Sequence, residues 1–146
     1  MTQSEFSILS KKFIAENYPA FLNTIVYHEN DSFDCSLKSR NGKLYIWIAT
    51  YDCEITVGFD NAEKQCVWHT HMSLVGANNT SEELIALSEL LDSIFSGEQQ
   101  IVFSSKMGIS LTNSIESEIG DKDEDETILL YNWNELLIPS PKIDTL

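Results

Sequence analysis

The stretch FDCSLKSRNGKLYIWIATYDCEITVGF, residues 33–59, decides the fold. Phe33, Cys35 and Leu37 alternate with polar neighbours, the two-residue period of a half-buried strand. Asn41-Gly42 suits the positive φ angles of a tight hairpin. Leu44 to Ala49 (LYIWIA) then returns, apolar at nearly every position, which predicts a central strand covered on both faces. Tyr51-Asp52 turns the chain into a third strand, CEITVGF, and the segment reads as an antiparallel meander.

The same reading extends outward. Towards the amino terminus, Ser4 to Asn17 is predicted as a helix, with Ser4 as its cap, Phe6, Leu9, Phe13 and Ile14 on one face, and Pro19 just beyond its end. Towards the carboxyl terminus, the polar turn DNAEK (60–64) leads into a fourth strand, Cys66 to Met72. Thr80-Ser81-Glu82-Glu83 then opens an apolar-periodic helix through Leu84, Leu87, Leu91, Ile94 and Phe95. Thr80 is expected to cap its first turn with Glu83 reaching back, and Gly97 to end it. Ile101 to Phe103 and Thr127 to Tyr131 are further strand candidates. The expectation is one α+β domain over residues 1–146, a mainly antiparallel sheet of about five to six strands packed with two helices. Residues 139–146 are expected to fray.

Charge is where the chain departs from average: 23 acidic against 9 basic side chains, a formal net charge of −14. Nucleic acid is bound by cations that displace its counterions, so this balance argues against it, and equally against anionic membranes. Residues 1–60 carry 5 basic and 8 acidic groups, while residues 61–146 carry 4 and 15, so the excess belongs to the second half. A surface of this sign speeds encounter with a basic partner.

Cys35, Cys53 and Cys66 are odd in number and form no CxxC pair, which argues against a disulfide framework or zinc knuckle and for reduced thiols in a cytoplasm. The amino terminus lacks the pattern of a secretory leader, and no apolar run approaches membrane-spanning length.

Few patterns suggest chemistry. His69 and His71, two apart on a strand, project from one face and could share a metal, with Glu54 or Glu82 as a third ligand. JAMM-type metalloproteases carry a similar order of an upstream Glu, then His-Ser/Thr-His, then Ser and Asp; here Glu54 and His69-Thr70-His71 fit, but Thr80 and Glu82 only stand near the later positions. That arrangement is the alternative reading, a metal-dependent hydrolase; a small-ligand module is another. Cys66 and His69, three apart on a strand, are expected on opposite faces, which argues against a thiol nucleophile. The run Asp121, Asp123, Glu124, Asp125, Glu126 lacks the spacing and glycine of an EF-hand loop. Trp47, Trp68 and Trp133, with Tyr45 and Tyr131, are expected mainly in the core, although an exposed aromatic beside an acid would make an interface anchor. No catalytic residue, metal or cofactor is expected.

Residues 43–105 resemble the immunity proteins of bacterial contact-dependent inhibition and related polymorphic toxin systems. The likeness rests on the strand EITVGFD, a polar turn, the segment WHTHM, one capped helix and a short strand. The resemblance implies a small, non-catalytic cytoplasmic protein that binds and blocks one cognate toxin C-terminal domain, commonly a cationic nuclease. On that expectation Asp121, Asp123, Glu124, Asp125 and Glu126 lead the contact set, followed by Glu116 and Glu118.

Overall fold

The computed structural model describes residues 1–40, 42–113 and 122–133 of the chain. The fold is α+β, with eight strands, every pairing antiparallel, and two α-helices among these residues. The chain divides into two units, residues 1–89 and 90–146. The strands form two sheets where one was expected.

The first unit opens with α1 (Gln3–Asn17). Its cap is Thr2 in place of the expected Ser4, with the Thr2 Oγ1 accepting from Glu5 N at 3.1 Å. The buried stripe is Phe6, Ser7, Ser10 and Ile14, whereas Leu9 is 43% exposed. At 3.6 residues per turn Leu9 lies about 100° from Ser10, the middle of that stripe, so the small serine packs inward and the leucine turns out. The first helical turn also holds a distant loop. Gln3 donates through Nε2 to Thr50 O at 2.7 Å and accepts at Oε1 from Cys53 N at 2.8 Å.

A 3-10 segment, Pro19–Thr24, leads into a five-stranded sheet laid out in chain order. Its strands are β1 (Val26–Tyr27), β2 (Phe33–Lys38), β3 (Leu44–Ala49), β4 (Thr56–Asn61) and β5 (Cys66–His71). The predicted meander is present, with Ser36 opposite Trp47 and Trp47 opposite Gly58. At the β2–β3 turn Gly42 has φ +72° and donates its N–H to Ser39 O at 3.0 Å. β3 is central, yet only one of its faces is covered: Leu44, Ile46 and Ile48 are fully buried, while Tyr45, Trp47 and Ala49 are half-buried. The expectation of burial on both faces fails because two of its apolar residues are amphipathic aromatics, whose rings can border water while their polar atoms stay bonded.

The second helix, α2 (Thr80–Phe95), starts on a cap one residue earlier than expected. Asn79 Oδ1 accepts from Glu82 N at 2.9 Å, and the Glu82 carboxylate accepts from Asn78 N at 2.8 Å. The cap is therefore Asn79, with Glu82 reaching back one residue further to Asn78 N and to the Asn79 side-chain amide, and Thr80 has no part in it. Glu83, released from the capping role, is buried and accepts from Ile55 N, next to β4, at 2.9 Å.

In the second unit α2 ends as predicted at Gly97, whose φ of +82° is left-handed and whose N–H donates to Ile94 O at 3.2 Å. A three-stranded sheet follows, made of β6 (Gln100–Ser104), β7 (Gly108–Thr112) and β8 (Ile128–Tyr131), with β6 in the middle. Val102, Ile128 and Leu130 form its buried cluster. β1 and β7 were not expected: β1 has two residues, and β7 (GISLT) has only two large apolar side chains. No helix among the described residues is long and apolar enough to cross a membrane. The expected frayed tail, 139–146, lies outside the described residues.

Candidate functional site

The open face of the five-stranded sheet is where the sequence and the register meet to make a site. Because side chains alternate, the buried set Leu44, Ile46, Ile48 on β3 obliges Tyr45, Trp47 and Ala49 to share the other face. The antiparallel register then sets Ser36 and Gly58 on either side of Trp47, and Lys38 and Asp60 on either side of Tyr45. Gly58 leaves room for the indole to lie against the β4 backbone. From there Trp47 Nε1 donates to Asp60 Oδ1 at 2.8 Å.

Beyond the two-residue β1, Thr24 takes over the edge of β2. Its Oγ1 donates to Ser36 O at 2.7 Å and accepts from Ser36 N at 2.9 Å. Thr24 and Val26 thus line one side of a cavity of about 540 Å³ that lies among Asp34, Tyr45, Trp47, Asp60 and neighbouring residues.

The charges in this cavity are unequal. Asp34 is bonded to His28, with Nε2 to Oδ2 at 2.7 Å. Asp60 is held above the usual aspartate range, first because the groove partly strips it of water and further because Asp34 carries the same charge; the Trp47 bond and Lys64 oppose the rise without cancelling it. Lys64 also lines the cavity, with its ammonium 5.7 Å from the Tyr45 ring centroid.

His69 and His71 occupy the same face on β5, as the spacing predicted, with their rings edge to face at 5.4 Å between centroids. His71 Nδ1 is 2.8 Å from Thr56 Oγ1 and 3.4 Å from Glu54 Oε1. Glu54 in turn accepts from Ser73 Oγ at 2.5 Å. Glu82, the other candidate third ligand, is engaged in the α2 cap. Among the described residues no group of three or more His, Cys, Asp or Glu side chains is gathered to hold a metal ion.

The expectation for Cys66 and His69 is corrected. The β4–β5 register shifts at Phe59/Asp60, where Phe59 faces Trp68 and Asp60 faces Cys66. Val67 is the extra residue of this bulge, so Cys66 joins the face of His69 and its Sγ stands 3.8 Å from His69 Nδ1. A two-residue period cannot anticipate a bulge.

The acidic run is partly described. Glu116, Glu118 and Asp121 lie outside the described residues. Asp123 and Asp125 flank Lys106, with Nζ at 3.3 and 2.5 Å, and their side chains are 66% and 78% exposed. Glu124 is exposed beside them. Glu126 differs: it is 6% exposed, accepts from the Ser104 hydroxyl, and accepts from Asp123 N at 3.1 Å. These bonds, that from Ser104 first, hold its carboxyl below the ordinary range. Ser104 Oγ also accepts from Lys106 N and Met107 N at 3.1 and 2.9 Å, so Glu126 belongs to the internal wiring of this turn.

Sequence reasoning assigned Tyr45 and Trp47 to the core and passed over Asp34 and Asp60. The signal lay in the alternation itself: two aromatics at 45 and 47 inside an otherwise aliphatic strand, opposite the glycine of TVGF. No family model matches the chain, and comparison with curated proteins and with solved structures found no significant match.

Proposed function

We propose that this chain is an immunity protein, a non-catalytic inhibitor that binds the basic C-terminal domain of a cognate bacterial toxin, of nuclease type, in the cytoplasm. The observation that carries the reading is the turn at 123–125, where three exposed carboxylates stand together and Lys106 pairs with two of them, Asp123 and Asp125. A chain of net charge −14 that leaves such a cluster at its surface is suited to a partner rich in arginine and lysine. The substrate groove of a nuclease has that character, since it is built for phosphates. An acidic surface accelerates encounter with it and competes for the same cations.

The test is co-expression. If the gene lies beside one for a large exported protein with a basic C-terminal domain, that domain alone should arrest growth. Adding this chain should restore growth, and the two purified proteins should form a 1:1 complex. Arrest that persists in the presence of the folded chain overturns the reading.

A further inference from the structure

The groove on the open sheet face combines features that neither an ordinary sheet surface nor a solvated acidic patch needs. Its floor is aromatic, because Tyr45 and Trp47 face out of β3 and Gly58 lets the indole lie down. Thr24 and Val26 line it on one side, and its volume of about 540 Å³ falls within the range of ligand pockets. Two carboxylates, Asp34 and Asp60, line it; the ammoniums of Lys64 and Lys38 both stand over the Tyr45 ring, at 5.7 and 5.9 Å from its centroid, which leaves the Trp47 end of the groove to the carboxylates. Each carboxylate has an oxygen already bonded, by His28 and by Trp47 respectively, which fixes its position.

A partly desolvated carboxylate that shares a groove with a second one is a costly arrangement that a cation relieves. A flat cation relieves it best, because it can stack on the indole while its N–H groups bond a carboxylate. Guanidinium has that shape, keeps its charge at every relevant pH, and sheds water more readily than an ammonium. We propose that the groove receives the guanidinium of an arginine side chain presented by a basic partner protein, stacked on Trp47 and bonded by Asp60, with the charge of Asp34 adding to the attraction at longer range. This rests on the reading of the chain as a binder of a basic protein and names the residues through which the first unit would anchor it. Arginine is among the side chains that dominate binding energy at such anchors.

The test uses the full chain, ¹⁵N-labelled at its indoles, with the Trp47 signal assigned from Trp47→Phe. The probe is N-acetyl-arginine methylamide, and the control is the citrulline analogue, nearly the same shape without charge. The arginine probe should shift the Trp47 indole saturably while the Trp68 and Trp133 indoles stay still. Citrulline should fail to saturate. Asp60→Asn keeps an acceptor for the Trp47 N–H and should weaken the probe roughly tenfold, the loss expected for one charge-assisted hydrogen bond; Asp34→Asn should weaken it in the same direction. Equal responses to arginine and citrulline, a common drift of all three indoles, or unaltered affinity in a folded Asp60→Asn variant would each overturn the proposal. The outcomes separate from those for the function. A silent groove in a chain that still neutralises a toxin removes the anchor alone; a groove that takes arginine in a chain that rescues nothing removes the toxin reading alone.

Discussion

Gly58 lies against the indole of Trp47 so closely that a β-carbon on Gly58 would stand 2.2 Å from Trp47 Cζ2. The pair sits at directly opposed positions on β3 and β4, so neither strand can yield without disturbing the centre of the sheet. Gly58→Ala should therefore lift the indole, break its bond to Asp60 and cost roughly 1–3 kcal/mol, as overpacking does. Thermal unfolding reads the cost and tryptophan fluorescence the displacement. A variant with unchanged stability and emission would mean that Trp47 is not held there.

Glu83 provides a pH test. Burial, with a smaller contribution from the like charge of Glu54, holds its carboxyl above the ordinary value of 4.5, despite the bond from Ile55 N. The native state therefore binds this proton more tightly than the unfolded chain does, so stability is gained as pH falls through the raised value and lost as pH rises through it. Glu83→Gln keeps an acceptor for Ile55 N and does not titrate. The stability of the wild type relative to this variant should increase as pH is lowered from about 7 to about 4.5. A difference that is flat, or that runs the other way, contradicts the assignment.

The thiols should react in order of access. Cys35 is 1% exposed, and burial first, with the neighbouring charge of Asp34, pushes its thiol up to about 12. Cys66 is exposed on β5, and Cys53 is half-buried in the β3–β4 connection. With a thiol-specific reagent at mild alkaline pH, Cys66 should react first and Cys53 more slowly, while Cys35 waits for unfolding. Rapid modification of Cys35 in the native chain would contradict the packing of β2.

How much of this was readable in advance depends on which interactions are local. The 33–59 meander followed from strand period, a glycine turn and apolar content, and all of these are properties of neighbouring residues. β1 escaped because two residues pair only where a neighbouring strand offers an edge, and β7 because GISLT gains its order from β6. Leu9 was misplaced since a helix with serines on its buried side has a stripe that apolar counting shifts sideways. The groove was the largest omission. Trp47 stands 13 residues from Asp60 and meets it and Gly58 only through the register, and Cys66 meets His69 only through a bulge. The acidic excess, a matter of composition, was legible at once; the inward commitment of Glu126 to Ser104 was not.

Lys106 partners Asp123 and Asp125, and their carboxylates in turn hold its ammonium above the usual lysine range, the bond to Asp125 contributing most. Surface ion pairs add little to stability. Lys106→Ala should leave the unfolding temperature almost unchanged while making the turn more negative. Association with a basic toxin domain should then become faster at low salt, by a factor measurable in stopped-flow fluorescence. A slower rate in a folded variant would mean that Lys106 itself contacts the partner.

The central claim, that exposed acidic charge draws this chain to a basic toxin domain, is tested most directly by the association rate constant of the two purified proteins at increasing salt. The rate should fall at least roughly tenfold between low and about 0.5 M salt, because steering is screened beyond a Debye length. It should also fall, with a shallower salt dependence, when Asp123, Glu124 and Asp125 are replaced together by their amides. A rate indifferent to salt, and unchanged in that triple variant, would contradict the account.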